Sequence, residues 1–531
     1  MPPAGIETGC KRASLVGTDI LQQSADRDAY PVGTIPALTA LLDDFAAQRL
    51  RYCLWKSNLR LPKALNGTTD LDLLIDPQQA GLFRAIIGRH PVKRIVPPPG
   101  AHYPGMEHFL GFDRPSGRLF HLHVHFQMVL GERYVKNHRV PMEREFLDSV
   151  RTLGGVPVPS ASLELSILSM RALLKYRGRD VIKDIFGIRS PGIAEDIHAE
   201  IEWLLDQTSV DEVRAALEEG GGLIPADLVC KFLETVIQAP RSGRTLFRLR
   251  GRLRREIRGL RRHGWLRARV QYLGSAWRQR RRFRGPPRRD PRMTPAGGGS
   301  AVAVVGADGS GKSTISLALA DWLGWKLEAR VYYMGSKQPS RTSRWLYLGF
   351  RAQRRTHRAL DRNLGGNRWI TRTVGASRDV TLALHHLAIG RDRARRYRDA
   401  LRDFRTGAVV IFDRFPFEHL SNEQGAWLLD GPRIADSVGG GRVVWLLAAV
   451  EERMYRRFRL PDHLFVLQAK PEVSAERKPD HALDVIVAKS RAILELGTLA
   501  AGRGAAVARI DADRPLDEVI LEARTRLWDV L

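Results

Sequence analysis

Short apolar runs alternate with longer amphipathic stretches in the second half of the chain. The runs at 302–305, 408–412 and 505–510 are short and mostly apolar, which is typical of buried strands. Two more strands are predicted at 329–334 and 460–467. Since stretches of helical periodicity separate these strands, the pattern predicts an α/β fold with a parallel sheet covered by helices on both faces.

The first half of the chain has a different pattern, in which the strands come first and the helices follow. Apolar positions at helical spacing predict a helix over 36–51, and short apolar or alternating stretches predict strands at 52–55, 70–76 and 119–126. Helical periodicity then dominates from 160 to 240. We therefore predict an α+β domain that is completed by a helical cap.

The chain has 531 residues, too many for a single hydrophobic core, so several domains are expected. Residues 1–34 lack periodicity and are expected to be mobile, whereas 35–240 form the α+β domain and 300–531 form the α/β domain. The intervening 241–299 hold an Arg-rich amphipathic segment that ends in a Pro- and Gly-rich linker at 285–299.

The composition excludes several classes of protein. An apolar share of 44% with 27% charged residues is that of a globular protein, and no apolar run approaches the ~20 residues that span a bilayer. The N-terminus lacks the layout of a signal peptide. Cys10, Cys53 and Cys230 are too widely spaced for a metal knuckle or a disulfide framework. We expect a cytoplasmic location.

The most informative motif directly follows the strand at 302–305. Residues 306–313 match the pattern G-x-x-x-x-G-K-[ST] between a strand and a helix. The glycines allow backbone N–H groups to surround phosphate oxygens, Lys312 can reach the β- and γ-phosphates, and Ser313 can ligate Mg²⁺. The motif predicts that a nucleoside triphosphate is bound by Gly306, Gly309, Ser310, Gly311, Lys312, Ser313 and Thr314.

A second motif, Asp413 followed by Arg414, ends the strand at 408–412. An acid at the end of such a strand lies close to Mg²⁺ and the phosphates, as at a Walker-B position. An adjacent arginine can neutralise charge on the transferred group. The alternative is a turn pair that merely ends the strand.

Together these blocks resemble the thymidylate kinase family of P-loop nucleoside monophosphate kinases. The resemblance runs in order over about 300–531. After the loop it comprises D-R-F at 413–415, a P-D strand from 461, P-E-x-x-x-x-R at 471–477, and I-D-A at 510–512. It implies that the γ-phosphoryl group of ATP·Mg²⁺ passes in line to a phosphorylated acceptor such as dTMP. The family is often dimeric, which implies a homodimer.

The resemblance also implies roles for individual residues. Lys312 and Ser313 would hold ATP·Mg²⁺, and Asp308 would face the acceptor. Asp413 and Arg414 would organise the metal and the acceptor phosphate. Arg477, Lys478 or Lys489 would form a lid over the phosphates. Asp511 and Ala512 would contact adenine.

The chain departs from this family in the half that would bind the acceptor. Thymidylate kinases usually have Arg-Glu-Pro after the second strand, whereas this chain has S-K-Q-P at 336–339. The Ser/Tyr/Gln stretch expected after D-R-[FY] is replaced by P-F-E-H-L at 416–420. Arg433 lies in a predicted turn and could hold an anionic acceptor. The acceptor is therefore dTMP or another phosphorylated small molecule.

A weaker resemblance concerns about 35–185. A Gly-containing turn leads into a strand that places Asp70 and Asp72 on one face. Such a pair can hold a divalent metal against a triphosphate, and the pattern is similar to that of the nucleotidyltransferase superfamily. That superfamily supplies a third carboxylate from a later strand, whereas the strand at 119–126 carries His121, His123 and His125.

Three interpretations of these histidines remain open. They bind a metal or phosphate beside Asp70 and Asp72, they mark a domain that has lost transferase activity, or they are polar-face residues of a half-exposed strand.

Basic residues are concentrated in one segment. Residues 241–292 contain 20 arginines, no lysine and two acidic residues, which gives +18 of the chain's net charge of +27. Leucines recur among them at helical spacing. We consider three roles for 241–284. The segment binds an anionic membrane surface, with the protein peripheral at the inner face of the membrane, or it binds nucleic-acid phosphates. The third alternative is an interdomain helix that packs its leucines on one domain.

Three functional hypotheses follow. The first is an ATP-dependent P-loop kinase acting on dTMP or another phosphorylated small molecule. The second is a bifunctional enzyme in which Asp70 and Asp72 also transfer a nucleotidyl group, in cell-envelope carbohydrate metabolism. The third is a nucleotide-dependent switch or a nucleic-acid-associated ATPase.

Overall fold

The structure is a computed structural model that describes residues 29–132, 134–176, 193–238, 243–282, 292–363, 368–416, 431–438, 441–479 and 483–531. Most of the predicted mobile N-terminus and the first half of the predicted linker lie outside these ranges. The chain divides into two compact units, Met1–Pro291 and Arg292–Leu531.

The first unit combines a mixed sheet with a group of helices. Its strands are β1 (Tyr52–Leu54), β2 (Asp70–Ile75), β3 (Val92–Val96), β4 (Met106–Asp113), β5 (Arg118–His125), β6 (Val129–Leu130), β7 (His138–Arg139), β8 (Arg151–Leu153) and β9 (Val156–Val158). Its helices are α1 (Pro36–Ala47), α2 (Leu61–Leu65), α3 (Ala80–Ile87), α4 (Glu143–Asp148), α5 (Ala161–Lys175), α6 (Glu195–Leu205), α7 (Val210–Glu219), α8 (Ala226–Gln238), α9 (Gly243–Glu256) and α10 (Trp265–Arg282).

Five strands of this unit pair in the order β1-β2-β5-β4-β3. β2 and β5 are parallel, and the other neighbouring pairs are antiparallel. One face of the sheet packs on α1 and α3 through apolar residues such as Leu71 and Leu73. Because side chains alternate along a strand, Asp70, Asp72 and Leu74 point to the other face, where Leu74 joins the core built around α5.

The helix predicted over 36–51 ends earlier, at Ala47. Arg49 has φ 54°, in the left-handed region, and the amide of Leu50 donates to the carbonyl oxygen of Phe45. A left-handed residue with such a bond closes a helix and satisfies its last carbonyls. The termination is therefore local backbone chemistry that hydrophobic spacing does not show.

The leucine stripe of the Arg-rich segment is buried. Leu246, Leu249, Leu253 and Ile257 belong to the same core as α5, while arginines occupy the other faces of α9. Buried leucines agree with the alternative in which this segment is an interdomain helix that packs its leucines on one domain. The membrane and nucleic-acid alternatives stay predictions for the remaining surface, including the exposed Trp265, Leu266, Val270, Leu273 and Trp277 of α10.

The second unit is built on a parallel sheet. Its strands are β10 (Thr294–Pro295), β11 (Ser300–Gly306), β12 (Ala329–Tyr333), β13 (Val409–Asp413), β14 (His463–Gln468) and β15 (Ala506–Asp511). Its helices are α11 (Lys312–Leu323), α12 (Arg341–Asn363), α13 (Arg368–Arg405), α14 (Ile434–Ser437), α15 (Arg442–Tyr455), α16 (Pro471–Arg477), α17 (Leu483–Gly502) and α18 (Leu516–Val530).

All neighbouring strands in the order β12-β13-β11-β14-β15 are parallel. Ala303 and Val305 of β11 lie in a core with α13 and α17. Val302 and Val304 are also buried, and the alternation of side chains points them to the opposite face, which α11 covers. The predicted α/β architecture of this part of the chain is confirmed, and β11 and β13 deliver their carboxyl ends to one edge.

The long helices predicted across 340–407 are present as α12 and α13. Arg393 of α13 is fully buried, and its guanidinium donates to the hydroxyl of Tyr455. In the part of the chain that the structure describes, no helix is long and apolar enough to cross a membrane.

Candidate functional site

The glycine-rich loop at 306–311 joins β11 to α11, as the motif predicts. Gly311 lies at the N-cap of α11 with φ 87°, and Gly309 has φ 90°. Both values lie in the left-handed region that favours glycine. A Cβ atom on Gly309 would lie 2.4 Å from the carbonyl oxygen of Ser474 in α16. Glycine at 309 therefore serves both the turn of the loop and the close approach of α16.

We expect Gly309→Ala to lower the affinity for ATP about 10-fold, because backbone strain and the clash with Ser474 cost about 1–3 kcal/mol. Isothermal titration calorimetry with ATP and Mg²⁺ measures this change. Gly502→Ala is the matched control, since nothing lies within 4 Å of a Cβ atom at that position. Equal affinities of the two variants would contradict the proposed reason for glycine at 309.

Lys312 is the buried cation of the loop. Its side chain lies at the start of α11, the residue is 6% exposed, and Nζ donates to the carbonyl oxygen of Ala307 at 2.5 Å. Burial and the nearby charge of Arg414 lower the pKa of Lys312 to about 7, against the opposing effect of Asp308 and Asp413. A buried ammonium with a second cation nearby attracts phosphate oxygens, because little water screens its charge.

This environment predicts proton uptake when ATP binds. At about pH 8 much of the Lys312 amine is neutral, and the arriving phosphates raise its pKa, so binding is expected to take up a proton. Calorimetric titrations with ATP and Mg²⁺ in buffers of different ionisation enthalpy count the protons. Lys312→Arg should lose the uptake because its guanidinium stays charged. Identical uptake by both proteins would show that another group titrates.

Ser313 and Asp413, the two residues that were predicted to hold Mg²⁺, lie in contact. Oγ of Ser313 donates to Oδ2 of Asp413 at 2.7 Å, which connects α11 to the end of β13. Asp413 is 4% exposed, and its Oδ1 atom is buried with no hydrogen-bond partner among the residues that the structure describes. A hydroxyl and a carboxylate oxygen with spare acceptor capacity suit an oxygen-preferring cation, so these residues fit Mg²⁺.

Asp308 lies among cations beside the loop. Its carboxylate pairs with the Arg414 guanidinium at 3.2 Å and with the Lys489 ammonium. Burial by itself would raise the pKa of Asp308, yet the Lys489 hydrogen bond and the charges of Lys312 and Arg414 hold it below its ordinary value. Asp308 is therefore ionised and orders the cations around it.

Arg414 has a strained backbone. Its φ of 69° is unusual for a residue with a side chain, and its amide donates to the carbonyl oxygen of Val304 at 3.0 Å. The conformation turns the chain sharply after Asp413 and aims the guanidinium at Asp308. Such backbone strain is common where side chains are held for function.

A cleft of about 440 Å³ opens over the loop. Arg477 and Lys478, which were predicted to cover the phosphates, are among the residues that line it, and their role as a lid stays a prediction. Nη1 of Arg477 donates to the carbonyl oxygen of Ala512 at 3.0 Å, and burial with the nearby Lys337 lowers the pKa of Lys478. The loop contributes Gly309, Ser310, Gly311, Lys312, Ser313 and Thr314.

The two adjacent residues that were predicted to contact adenine line different pockets. Ala512 lines the cleft, whereas Asp511 lines a different pocket of about 330 Å³. Oδ1 of Asp511 accepts from the amide of Asp513 at 3.0 Å, which shapes the turn. Asp511 thus lies where it can hold the turn, and Ala512 lies where it can meet a ligand.

Sequence reasoning missed the residues on the far wall of this cleft. Arg514 of the turn before α18 lines it, together with Leu516 and Val519 of the first turn of α18. The sequence offers one hint of these residues, which is that they directly follow the I-D-A segment at 510–512. No motif of their own marks them. In a parallel sheet the carboxyl end of an edge strand brings the following turn toward the ligand crevice.

The first unit holds a separate cluster on the face of β2 and β5. The parallel register sets Asp70 opposite His121 and Asp72 opposite His123. Oδ1 of Asp70 lies 2.9 Å from Nδ1 of His121, and Oδ1 of Asp72 lies 2.8 Å from Nδ1 of His123. The structure thus brings together the acids and histidines that the sequence placed on two strands.

Lys56 completes this cluster. Its Nζ lies 2.8 Å from Oδ1 of Asp72, and both side chains are mostly buried. Burial lowers the pKa of Lys56, which Asp72 partly restores. Burial lowers the pKa of His125 to about 3 and that of His123 well below its ordinary value, so both imidazoles are neutral.

Comparison with known proteins gives distant relatives. No protein-family model matches the chain. It is 26% identical over 225 residues to the uncharacterized ATP-binding protein YghS of Escherichia coli K12, covering 41% of this chain and 88% of YghS. It is 27% identical over 231 residues to the uncharacterized ATP-binding protein YghR of the same organism, covering 42% and 84%. A structure of deoxyadenosine kinase from M. mycoides with bound dCTP covers 43% of this chain and 100% of its own, with 14% identity and a TM-score of 0.26, which is too low to assign a function. The chain is therefore similar to proteins named for ATP binding.

Proposed function

We propose that the second unit is an ATP-dependent phosphotransferase that moves the γ-phosphoryl group of ATP·Mg²⁺ to a phosphorylated small molecule. The observation that carries this proposal is the hydrogen bond between Ser313 and Asp413, with Lys312 buried beside them. It unites the loop with a Walker-B acid at the edge where parallel strands end. The names of YghS and YghR, both ATP-binding proteins, support the choice of nucleotide.

The residues of the loop would act mainly by position and charge. Lys312 and the loop amides would hold the phosphates, while Ser313 and Asp413 would hold Mg²⁺. The bound Mg²⁺ would neutralise charge on the β- and γ-phosphate oxygens. Arg477 and Lys478 would exclude water from the phosphates and add positive charge where negative charge develops.

The cations around Asp308 favour an acceptor that is itself anionic. Arg414 and Lys489 converge on Asp308 next to the loop, and Lys478 lies on the cleft. A phosphate group of the acceptor could replace the Asp308 carboxylate as the partner of these cations. The attacking oxygen of the acceptor would then lie near the γ-phosphate of ATP. The thymidylate kinase resemblance makes dTMP the first compound to test, and the altered S-K-Q-P segment at 336–339 requires other acceptors beside it.

The test is ATP turnover by the purified chain against a panel of phosphorylated acceptors, with Lys312→Ala as the blank. We expect Lys312-dependent ADP formation matched mole for mole by one phosphorylated product. If dTMP fails and another acceptor works, the phosphotransferase proposal holds for that acceptor. ATP hydrolysis with no acceptor, or stimulation by RNA or DNA, would overturn it in favour of a switch or an ATPase.

A second candidate activity belongs to the first unit. We propose that Asp70 and Asp72 form a nucleotidyltransferase-like site, because the two carboxylates share one face of β2 directly after a glycine-containing turn. Asp70→Asn and Asp72→Asn should abolish any nucleotidyl transfer and leave Lys312-dependent phosphoryl transfer unchanged. Loss of phosphoryl transfer in these variants, at unchanged stability, would contradict two separate activities.

A further inference from the structure

Three side chains on one face of the first unit converge on a small volume. The ligand atoms of Asp72, His123 and His125 lie within 4.8 Å of one another. Oδ1 of Asp72 is 2.8 Å from Nδ1 of His123 and 3.6 Å from Nε2 of His125. The rings of the two histidines are 4.3 Å apart between centroids and tilted by 52°. β2 and β5 therefore bring one carboxylate and two imidazoles together.

Several polar atoms of this group lack a hydrogen-bond partner. Both ring nitrogens of His125 and Nε2 of His123 are buried with no such partner in the described ranges, and His125 is 0% exposed. The 3.6 Å between His125 and Asp72 exceeds a hydrogen bond. Burying an imidazole nitrogen without a partner is costly, so such a nitrogen in a native protein calls for an explanation.

We propose that Asp72, His123 and His125 bind a divalent transition-metal cation of the Zn²⁺ class. Zn²⁺ bonds of about 2.0–2.1 Å place tetrahedral ligand atoms roughly 3.4 Å apart, and the two distances from Asp72 Oδ1, 2.8 and 3.6 Å, lie on either side of this value. Three protein ligands leave a fourth position for water or a substrate.

The ligand types choose between classes of metal. Mg²⁺ prefers oxygen ligands in a near-ideal octahedron, whereas imidazole nitrogen suits Zn²⁺ and its neighbours. Two of the three ligand atoms here are imidazole nitrogens. They come from the strand on which the nucleotidyltransferase superfamily carries a carboxylate. With histidines at this place, the expected metal is a nitrogen-binding cation rather than Mg²⁺.

Lys56 competes for the same carboxylate. Its ammonium lies 2.8 Å from Oδ1 of Asp72 and neutralises that charge. An ammonium only donates a hydrogen bond to Asp72, and it leaves Nε2 of His125 without a partner in the described ranges, whereas a metal beside Asp72 would bind that nitrogen. The metal must displace Lys56 from Oδ1, so Lys56 lowers the apparent affinity of the site.

The neighbouring histidines support the site without joining it. Nδ1 of His121 lies 2.9 Å from Asp70, and its Nε2 lies 3.3 Å from Nδ1 of His108. The ring of His108 stacks on His123 with centroids 4.6 Å apart. These contacts orient His123 on the sheet, as outer residues do around metal ligands.

The test uses the full chain, without an affinity tag and treated with a chelator. Co²⁺ is titrated first, since its visible absorption reports the number of ligands, and Zn²⁺ then competes for the same site. We expect one equivalent of tight binding that a large excess of Mg²⁺ does not displace. Absence of Co²⁺ and Zn²⁺ binding, or displacement by Mg²⁺ at similar concentration, would overturn the proposal.

Variants tie the binding to these residues. His125→Ala and His123→Ala should each weaken Co²⁺ binding at least 10-fold, and His198→Ala, on the half-exposed surface of α6, is the matched control. Lys56→Met should tighten binding, because a competing ammonium is removed. Unchanged affinity in His125→Ala would show that the metal is bound elsewhere, and binding that appears only in Lys56→Met would show that Lys56 permanently replaces a metal. Thermal unfolding of each variant reports whether it is folded.

Discussion

Lys312→Ala is expected to lower the rate of ATP-dependent phosphoryl transfer about 10²–10³-fold. The loop holds this ammonium in a buried position at the start of α11, where it is 6% exposed. A cation that is fixed in a desolvated site stabilises developing charge far more than one in water, and removing one such group typically costs about 10²–10³ in rate. Initial rates of ADP formation at saturating ATP and acceptor measure the effect.

The matched control for this variant is Lys326→Ala. Lys326 lies beyond α11 with its Nζ 4.6 Å from the centre of the Trp325 ring, and it does not line the cleft. We expect that variant to keep its full rate. If Lys312→Ala keeps its rate as well, the loop does not carry the reaction, and the proposed phosphotransferase would be wrong.

Asp413→Asn is expected to raise the Mg²⁺ concentration needed for half-maximal turnover about 10–100-fold. Asparagine keeps the shape of the side chain and an acceptor for the Ser313 hydroxyl at 2.7 Å, but it removes the negative charge at the end of β13. Mg²⁺ prefers charged oxygen ligands, so its affinity falls while the fold is retained. Rates measured across a Mg²⁺ series at fixed ATP report this change.

Asp321→Asn is the control for Asp413→Asn, because Asp321 is exposed near the end of α11. That variant should show the Mg²⁺ dependence of the unaltered protein. An unchanged Mg²⁺ dependence in Asp413→Asn would mean that the metal is held elsewhere, and the pairing of Ser313 with Asp413 would then be only a link between loop and sheet.

The sequence predicted the elements around the second site well because their signals are local. A buried strand, a glycine turn and a helix start follow one another within 300–323, and each can be identified from neighbouring residues alone. The D-R-F block was similarly predicted to end a strand, and β13 ends at Asp413. Glycine at 309 was predicted for the loop, whereas its approach to Ser474 was not, since α16 follows much later in the chain.

The contacts that give both sites their chemistry needed the tertiary structure. Lys489 meets Asp308 across 181 positions of sequence, and the cleft is closed by Arg514 and Leu516 of the last turn and helix. Strand order decides these neighbours, and hydrophobic periodicity carries no information about strand order.

What the sequence determined by itself was the type of the main elements of the second unit, the glycine-rich loop between β11 and α11, and the presence of acids and histidines on two alternating strands. What only the tertiary structure decided was that β2 and β5 lie side by side in a register that sets Asp72 against His123. It also decided that Lys56 reaches the same carboxylate. Periodicity is a property of adjacent residues, whereas pairing and register come from burying the whole sheet at once, because a shift of one residue would turn every side chain to the other face.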